Sequence, residues 1–174
     1  MNIASSHGEQ ENPGRQPEAN GWSPPNGSWA SSPGNRKSML GNRSRDTGPE
    51  LAVRKIIHGN GLRYRVHFPP LKTLRRRADL VFGPARVAVF IDGCYWHGCP
   101  THYVPPKTNS EYWSPKIGGN IERDRDTDTV LAAAGWLVLR FWEHEDPARC
   151  ADQIIEAVTA RRGRPSPSAP PTAG

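Results

Sequence analysis

The segment from Val87 to His102 constrains this chain more than any other. Val87-Ala88-Val89-Phe90-Ile91 is a short, β-branched apolar run of the kind that forms a buried strand. It stops abruptly at Asp92-Gly93-Cys94-Tyr95-Trp96-His97-Gly98-Cys99-Pro100-Thr101-His102, which gathers a carboxylate, two thiols, two adjacent aromatics and two imidazoles. Chemical groups are held most firmly at strand ends, because the sheet fixes the backbone behind them. The chemistry of the chain is expected at this end of this strand.

The rest of the pattern builds an α/β domain around that strand. Asp46-Thr47-Gly48-Pro49-Glu50 reads as a helix start, with Thr47 and Glu50 at capping-box spacing and Pro49 in the first turn. The helix directs Leu51, Val53, Ile56 and Ile57 inward and stops at Gly59 and Gly61. Leu62, Tyr64, Val66 and Phe68 then alternate with Arg63, Arg65 and His67, the period of a half-buried strand with a basic outer face. Ala78 to Phe82 and Val87 to Ile91 form two further strands, separated by Gly83-Pro84. A helical region runs from about Ser110 to Ala134, with Gly118-Gly119 as a point of interruption and Gly135 as its cap. Trp136 to Trp142 is a fourth strand, and Pro147 to Ala160 a closing helix. The expected order is helix, three strands, helix, strand, helix.

With 174 residues, 35% of them hydrophobic, the chain buries one modest core. Residues 1–36 carry five prolines among Ser, Gly and Asn and no apolar period, so they are expected to form a disordered tail. Residues 161–174 read the same way, which leaves one domain over 37–160. Of the net charge of +6, the tails hold −1 and +3, leaving +4 on the domain. That excess permits nucleic-acid binding without demanding it. No apolar run is long enough for a bilayer and no signal peptide is read at the N-terminus, so a cytoplasmic protein is expected. Three cysteines, an odd number, speak for thiolate ligands or plain buried thiols rather than a disulfide framework.

Two constellations carry chemistry. Asp79 lies inside the apolar strand Ala-Asp-Leu-Val-Phe, where an uncompensated carboxylate costs several kcal/mol. Asp92 ends the neighbouring strand and Glu50 starts the preceding helix, so oxygen ligands for one Mg²⁺ can converge. The plainer alternative pairs Asp79 with one of Arg75 to Arg77 and leaves Glu50 as a helix cap. The second constellation is Cys94, Cys99 and His102, with His144 or Cys150 as candidates to complete a tetrahedral zinc site. Its alternative is a pair of buried thiols beside exposed histidines. His97 lies between the thiols and is suited to activate a water for attack on phosphorus. Tyr95 and Trp96 either pack in the core or stack on and wedge between bases.

At this level of detail the chain resembles the very short patch repair endonucleases. The resemblance spans roughly residues 37 to 158 and rests on Lys37-Ser38-Met39, Arg45-Asp46-Thr47 with Pro49-Glu50, Arg77-Ala78-Asp79, the segment from Val87 to Pro100, Lys107-Thr108-Asn109 with Trp113, Lys116-Ile117, Asn120, Arg123-Asp124, and Gly135-Trp136 through Trp142-Glu143. It implies a restriction-endonuclease-like core of the PD-(D/E)XK type, a central mixed four-stranded sheet flanked by helices with a structural zinc site. It further implies an enzyme that nicks double-stranded DNA 5′ to the thymine of a T:G mismatch left by deamination of 5-methylcytosine. By this resemblance Asp79 and the main-chain carbonyl of Ile91 hold Mg²⁺. Glu50, Asp124 and His97 belong to the active site, Asp124 orienting His97 as the catalytic histidine. Cys94, Cys99, His102 and His144 correspond to the zinc ligands, and Cys150 falls outside the set. Met39, Tyr95 and Trp96 correspond to the wedge, Lys116 and Asn120 face the mispaired bases, and Arg45 is placed among the DNA contacts. Asp92 stands where some members have histidine and Tyr95 where phenylalanine is usual, so Asp92 is counted with the catalytic residues with its role open. The chain has Asp92-Gly93-Cys94 where many restriction-type nucleases carry Glu-x-Lys, and the family lacks that motif too. A monomer is expected, in contact with other mismatch-repair proteins. The rival functions are a nuclease of the same fold acting on another lesion or site, and a zinc-stabilised DNA-binding module without catalysis.

Overall fold

The computed structural model describes residues 45–105 and 110–162. Residues 1–44, with the expected N-terminal tail and Met39, residues 106–109, with the Lys107-Thr108-Asn109 motif, and residues 163–174 lie outside the described residues. Arg161 and Arg162, expected in the C-terminal tail, instead end the last helix, where Arg161 donates to the Ala85 and Gly135 carbonyls at 2.9 and 2.7 Å.

The first helix, α1 (Gly48–Gly59), starts at Thr47 as expected, but without the capping box that the Thr47 and Glu50 spacing suggests, since the Thr47 side chain caps no helical N–H. Thr47 is extended, Pro49 occupies the first turn, and Glu50 accepts from the Thr47 hydroxyl and the Asp46 backbone N–H, each at 3.0 Å. Its inward stripe is Glu50, Val53 and Ile57, spaced three and four apart. Leu51, expected inside, is 47% exposed. Glu50 takes the inward position because both its oxygens are satisfied there, and Leu51 is turned about a quarter of the helix circumference away.

Strand β1 (Arg65–Phe68) is shorter than its alternating pattern and does not keep one face. His67 has φ 47, in the left-handed region. Leu62 and Tyr64 therefore pack on one side of the sheet while Phe68 packs on the other, against the cluster of Ala78 and Val81. The expected single apolar face over 62–68 is corrected by that one backbone turn.

Strands β2 (Ala78–Phe82) and β3 (Val87–Asp92) form a hairpin with Leu80 opposite Val89. Helix α2 (Ser110–Ala133) crosses to β4 (Leu137–Trp142), which pairs parallel to β3 with Asp92 beside Trp142. The helix runs through Gly118-Gly119 without interruption. It ends in a Schellman closure, with Gly135 at φ 79 and the Trp136 N–H donating to the Leu131 carbonyl at 3.0 Å. Helix α3 (Pro147–Arg162) completes the order.

The sheet order is β1-β2-β3-β4, antiparallel except for the last pair, a mixed four-stranded sheet. Val53 and Ile57 of α1 pack with Cys150, Ala151, Ile154 and Val158 of α3 on one face, over Leu80, Phe82, Val87, Val89 and Phe141. Leu131 of α2 joins Ala78, Val81, Ala88 and Phe90 on the other. Because β3 and β4 are parallel, their carboxyl ends emerge side by side. Such ends are where open α/β sheets place ligand sites.

Candidate functional site

Asp79 sits in β2 beside the end of β3, its Oδ2 accepting the Ile91 backbone N–H at 2.7 Å. Burial pushes its carboxyl up to about 7; the Ile91 N–H pulls the other way, and the negative charges of Glu50 and Asp92 add to the rise. Its compensation does not come from the preceding loop in the way the alternative reading supposed. Arg76 donates to Asp126 at 2.6 Å and Thr127 at 2.9 Å, and Arg77 to the His67 carbonyl at 3.0 Å. Glu50 is 3% exposed and serves as the helix cap, while its charge reaches Asp79.

A stability consequence follows from Asp79. An acid whose folded pKa lies above its unfolded value stabilises the fold below about 3.8, and that contribution is lost between there and about 7 as pH rises. With no divalent cation added, Asp79→Asn is expected to be more stable than the natural protein by about 2–4 kcal/mol at pH 8, with the gap closing towards pH 4. Chemical denaturation at the two pH values measures it, and equal stability at pH 8 would contradict it.

The ends of β3, β4 and the middle of α2 meet around His97. Its Nδ1 lies 2.6 Å from Asp124 Oδ2 and 3.7 Å from Asp92 Oδ1. Burial opposes the charged imidazole, but the hydrogen bond to Asp124 and the charges of Asp92 and Asp124 outweigh it and hold the pKa above the ordinary value. Burial also pushes the Asp92 carboxyl up, against the charges of Arg140 and His97.

Arg140 is the member of this cluster that the sequence reading missed. From β4 it reaches Asp92 at 2.6 Å through Nη1, both Asp128 oxygens at 3.1 Å through Nε, and Asp124 at 3.3 Å through Nη2. Its Nη2 is buried and, despite that ion contact, makes no hydrogen bond. The guanidinium lies over the Phe90 ring, 4.5 Å from its centroid. The signal was present: a charge inside Leu-Val-Leu-Arg-Phe-Trp is as anomalous as Asp79 inside Ala-Asp-Leu-Val-Phe.

The loop after β3 forms the second cluster. Ligand atoms of Cys94, Cys99, His102 and His144 all lie within 4.8 Å of one another. Cys94 Sγ is 3.1 Å from His144 Nδ1, Cys99 Sγ is 3.9 Å from both His102 Nδ1 and His144 Nδ1, and the two imidazoles meet at 4.2 Å. Two sulfurs and two imidazole nitrogens at these separations are a donor set that suits tetrahedral zinc. Cys150 lies in α3 in the core and outside this group. Glu143 anchors the loop to β4, accepting the Cys94 N–H at 2.7 Å. Gly98, at φ 66, holds a left-handed conformation that favours glycine, and a Cβ there would come 2.7 Å from Ile121 Cδ1 and displace that side-chain tip.

The loop presents its aromatics in a connected row. Tyr95 meets Trp96 edge-on at 5.0 Å, and Trp96 meets Trp113 of α2 at 5.6 Å. Tyr95 and Trp96 are both half-buried. Lys116 donates to the Tyr112 hydroxyl at 2.6 Å, and Asn120 to the Trp96 carbonyl at 2.9 Å while accepting from Arg123. Arg45 pairs with Asp46, which also pairs with Arg54.

Comparison with known proteins gives the family. The profile of the family described as "DNA mismatch endonuclease Vsr" matches residues 31–102. The type II nicking enzyme V.NaeI of Lentzea aerocolonigenes is 48% identical over 120 residues, covering 67% of this chain and 71% of the relative. V.NmeDIP of Neisseria meningitidis serogroup C, likewise a type II nicking enzyme, is 37% identical over 126 residues, covering 70% and 83%. The DNA mismatch endonuclease Vsr of Escherichia coli K12 is 38% identical over 101 residues, covering 58% and 63%. On these matches, the chain belongs to the Vsr family of DNA mismatch endonucleases.

Proposed function

We propose that this protein nicks double-stranded DNA on the 5′ side of the thymine of T:G mismatches arising from 5-methylcytosine deamination, by Mg²⁺-dependent phosphodiester hydrolysis. The observation that carries the reading is the His97–Asp124 pair at 2.6 Å, carried by the loop that leaves β3, the strand whose Ile91 N–H donates to the carboxylate of Asp79 at 2.7 Å. A restriction-endonuclease-like core is the proposed ancestry of this mixed sheet.

Asp79 and the Ile91 carbonyl are the proposed holders of Mg²⁺. The fit rests on the donor: the Asp79 carboxylate takes one hydrogen bond, from the Ile91 N–H, and burial with the negative charges of Glu50 and Asp92 holds it up to about 7 against that bond and the charge of Arg140, a setting that a divalent cation would relieve. Bound there, Mg²⁺ supplies Lewis-acid polarisation of the scissile phosphate and offsets its developing charge. Cys94, Cys99, His102 and His144 would hold Zn²⁺, which would fix the loop that carries Tyr95, Trp96 and His97.

The residues divide the work. Asp124 fixes the Nδ1–H tautomer of His97, which leaves Nε2 to take a proton from the attacking water. Asp92 lies on the same side of the imidazole and favours the imidazolium that results. Trp96 and Tyr95, with Met39, enter the duplex beside the mispair. A T:G wobble unstacks at lower cost than a matched pair, and the difference, a few kcal/mol at most, is the discrimination. Lys116 and Asn120 exchange their present partners, Tyr112 and the Trp96 carbonyl, for base edges, adding about 1–3 kcal/mol per good contact. One nick requires one centre, so the active species is a monomer. Among the described residues no helix is long and apolar enough to cross a membrane, and a cytoplasmic location suits a DNA substrate.

The test is a single-turnover reaction with Mg²⁺ on a duplex holding one T:G mispair, each strand labelled separately. The expected result is one cut, in the thymine strand only, immediately 5′ of that thymine. Cutting of both strands, or binding without a cut, would overturn the reading, the latter in favour of a DNA-binding module.

A further inference from the structure

Asp92, His97 and Asp124 bring three ligand atoms within 4.8 Å of one another. Two-metal phosphodiester sites place a second ion about 3.5–4 Å from the first, and on donor type alone this trio would serve. Arg140 already holds two of these three donors. Its guanidinium contacts Asp92 at 2.6 Å and Asp124 at 3.3 Å, and is held from behind by both oxygens of Asp128 at 3.1 Å. Phe90 lies beneath it, and β4 is locked to β3 by parallel pairing from Val87 to Asp92, so the group has little room to withdraw. A fixed positive charge in contact with two carboxylates repels a cation, and its hydrogen bond to Asp92 consumes a lone pair that would bind one.

Asp79 differs from Asp92 and Asp124 in this respect. Its hydrogen-bond partner is the neutral Ile91 N–H, and Arg140 makes no ion pair with it. We propose that Arg140 is the built-in cation of the Asp92–Asp124 pocket, so that this active centre takes a single divalent ion, on Asp79. The inference rests on the assignment of that ion to Asp79 made above. It gives Asp92 a role: it is the anchor of a guanidinium, not a metal ligand. Arg140 acts through Asp92 and Asp124, and is a positioning residue.

The experiment counts Mn²⁺ by electron paramagnetic resonance on the zinc-loaded full chain without DNA. The natural protein is expected to bind one Mn²⁺ and Asp79→Ala none. Arg140→Met, which keeps length and apolar bulk but removes the charge, is expected to bind two, and Arg140→Met with Asp79→Ala to retain one. Arg140→Lys keeps a cation and is expected to remain at one. Two ions on the natural protein, or no gain in a zinc-replete, folded Arg140→Met, would overturn the proposal. No ion on the natural protein would remove the Asp79 assignment itself, and the inference with it. The natural protein's own count keeps the proposal falsifiable if Arg140→Met fails to fold.

Discussion

Replacing Asp79 by alanine is expected to lower the rate of DNA nicking by at least about a thousandfold while leaving the protein folded, zinc-loaded and able to bind DNA. The side chain has no core-packing duty. It takes one hydrogen bond, from the Ile91 N–H, and the like charges of Glu50 and Asp92 act on it more strongly than the charge of Arg140. Removing it relieves that crowding, so the fold has no reason to suffer. On the proposed assignment the reaction would lose its Mg²⁺, and with it several kcal/mol of transition-state charge stabilisation, of which about 4 kcal/mol corresponds to three powers of ten. Single-turnover rates with saturating enzyme separate this from a binding defect. An Asp79→Ala protein retaining a tenth of the natural rate would contradict the assignment.

The second large effect is expected at the cysteine and histidine cluster, and it falls on stability before activity. Residues 93–103 contain no strand or helix and are tied down by few internal bonds, among them His97 to Gly93, Cys99 to Cys94 and Tyr103 to Cys99. A segment with so little regular structure relies on its ligands for order. Cys94→Ser or Cys99→Ser is expected to lower zinc content from one per chain to near zero, to cost a few kcal/mol, on the order of 10 °C in Tm, and to abolish nicking through disorder of Tyr95, Trp96 and His97. Cys150→Ser, in the core of α3, is expected to retain zinc and activity. Elemental analysis with thermal unfolding measures all three. Full zinc occupancy in Cys94→Ser would contradict the ligand set.

The sequence was most legible where burial is uniform. β2 and β3 follow from unbroken apolar runs with turn residues between them, and their boundaries fall within a residue of the expected ones. Legibility failed where a single position answered to something other than hydrophobicity. Glu50 displaced Leu51 from the inner face of α1 because its charge is fully hydrogen-bonded there. His67 adopts φ 47 and swings Phe68 to the opposite face, a turn that no period of two can announce. Gly118-Gly119 failed to break α2, although two glycines cost roughly 1 kcal/mol each, because Ile117, Thr127 and Leu131 are buried along the same helix.

The site divides in the same way. Cys94, Cys99 and His102 come from one segment, so their grouping was visible in the sequence. His144 joins them because parallel pairing sets the end of β4 against the end of β3, with the Glu143 N–H donating to the Asp92 carbonyl at 3.0 Å. Arg140 was readable by the reasoning that singled out Asp79, since each is a charge inside an apolar strand. Its three aspartate partners, on β3 and α2, belong to the tertiary fold and were not.

The most direct measurement is the nicking rate on two duplexes that differ in one base pair, T:G against C:G, in several flanking contexts, with Mg²⁺ and with chelator. The account predicts one nick 5′ to the mismatched thymine, at least about a hundredfold faster than any cut in the matched duplex if the distortion and base-contact differences total some 3 kcal/mol, and no nick in chelator. Equal cutting of the two duplexes would contradict it, leaving a nuclease of this family that reads something other than the mismatch.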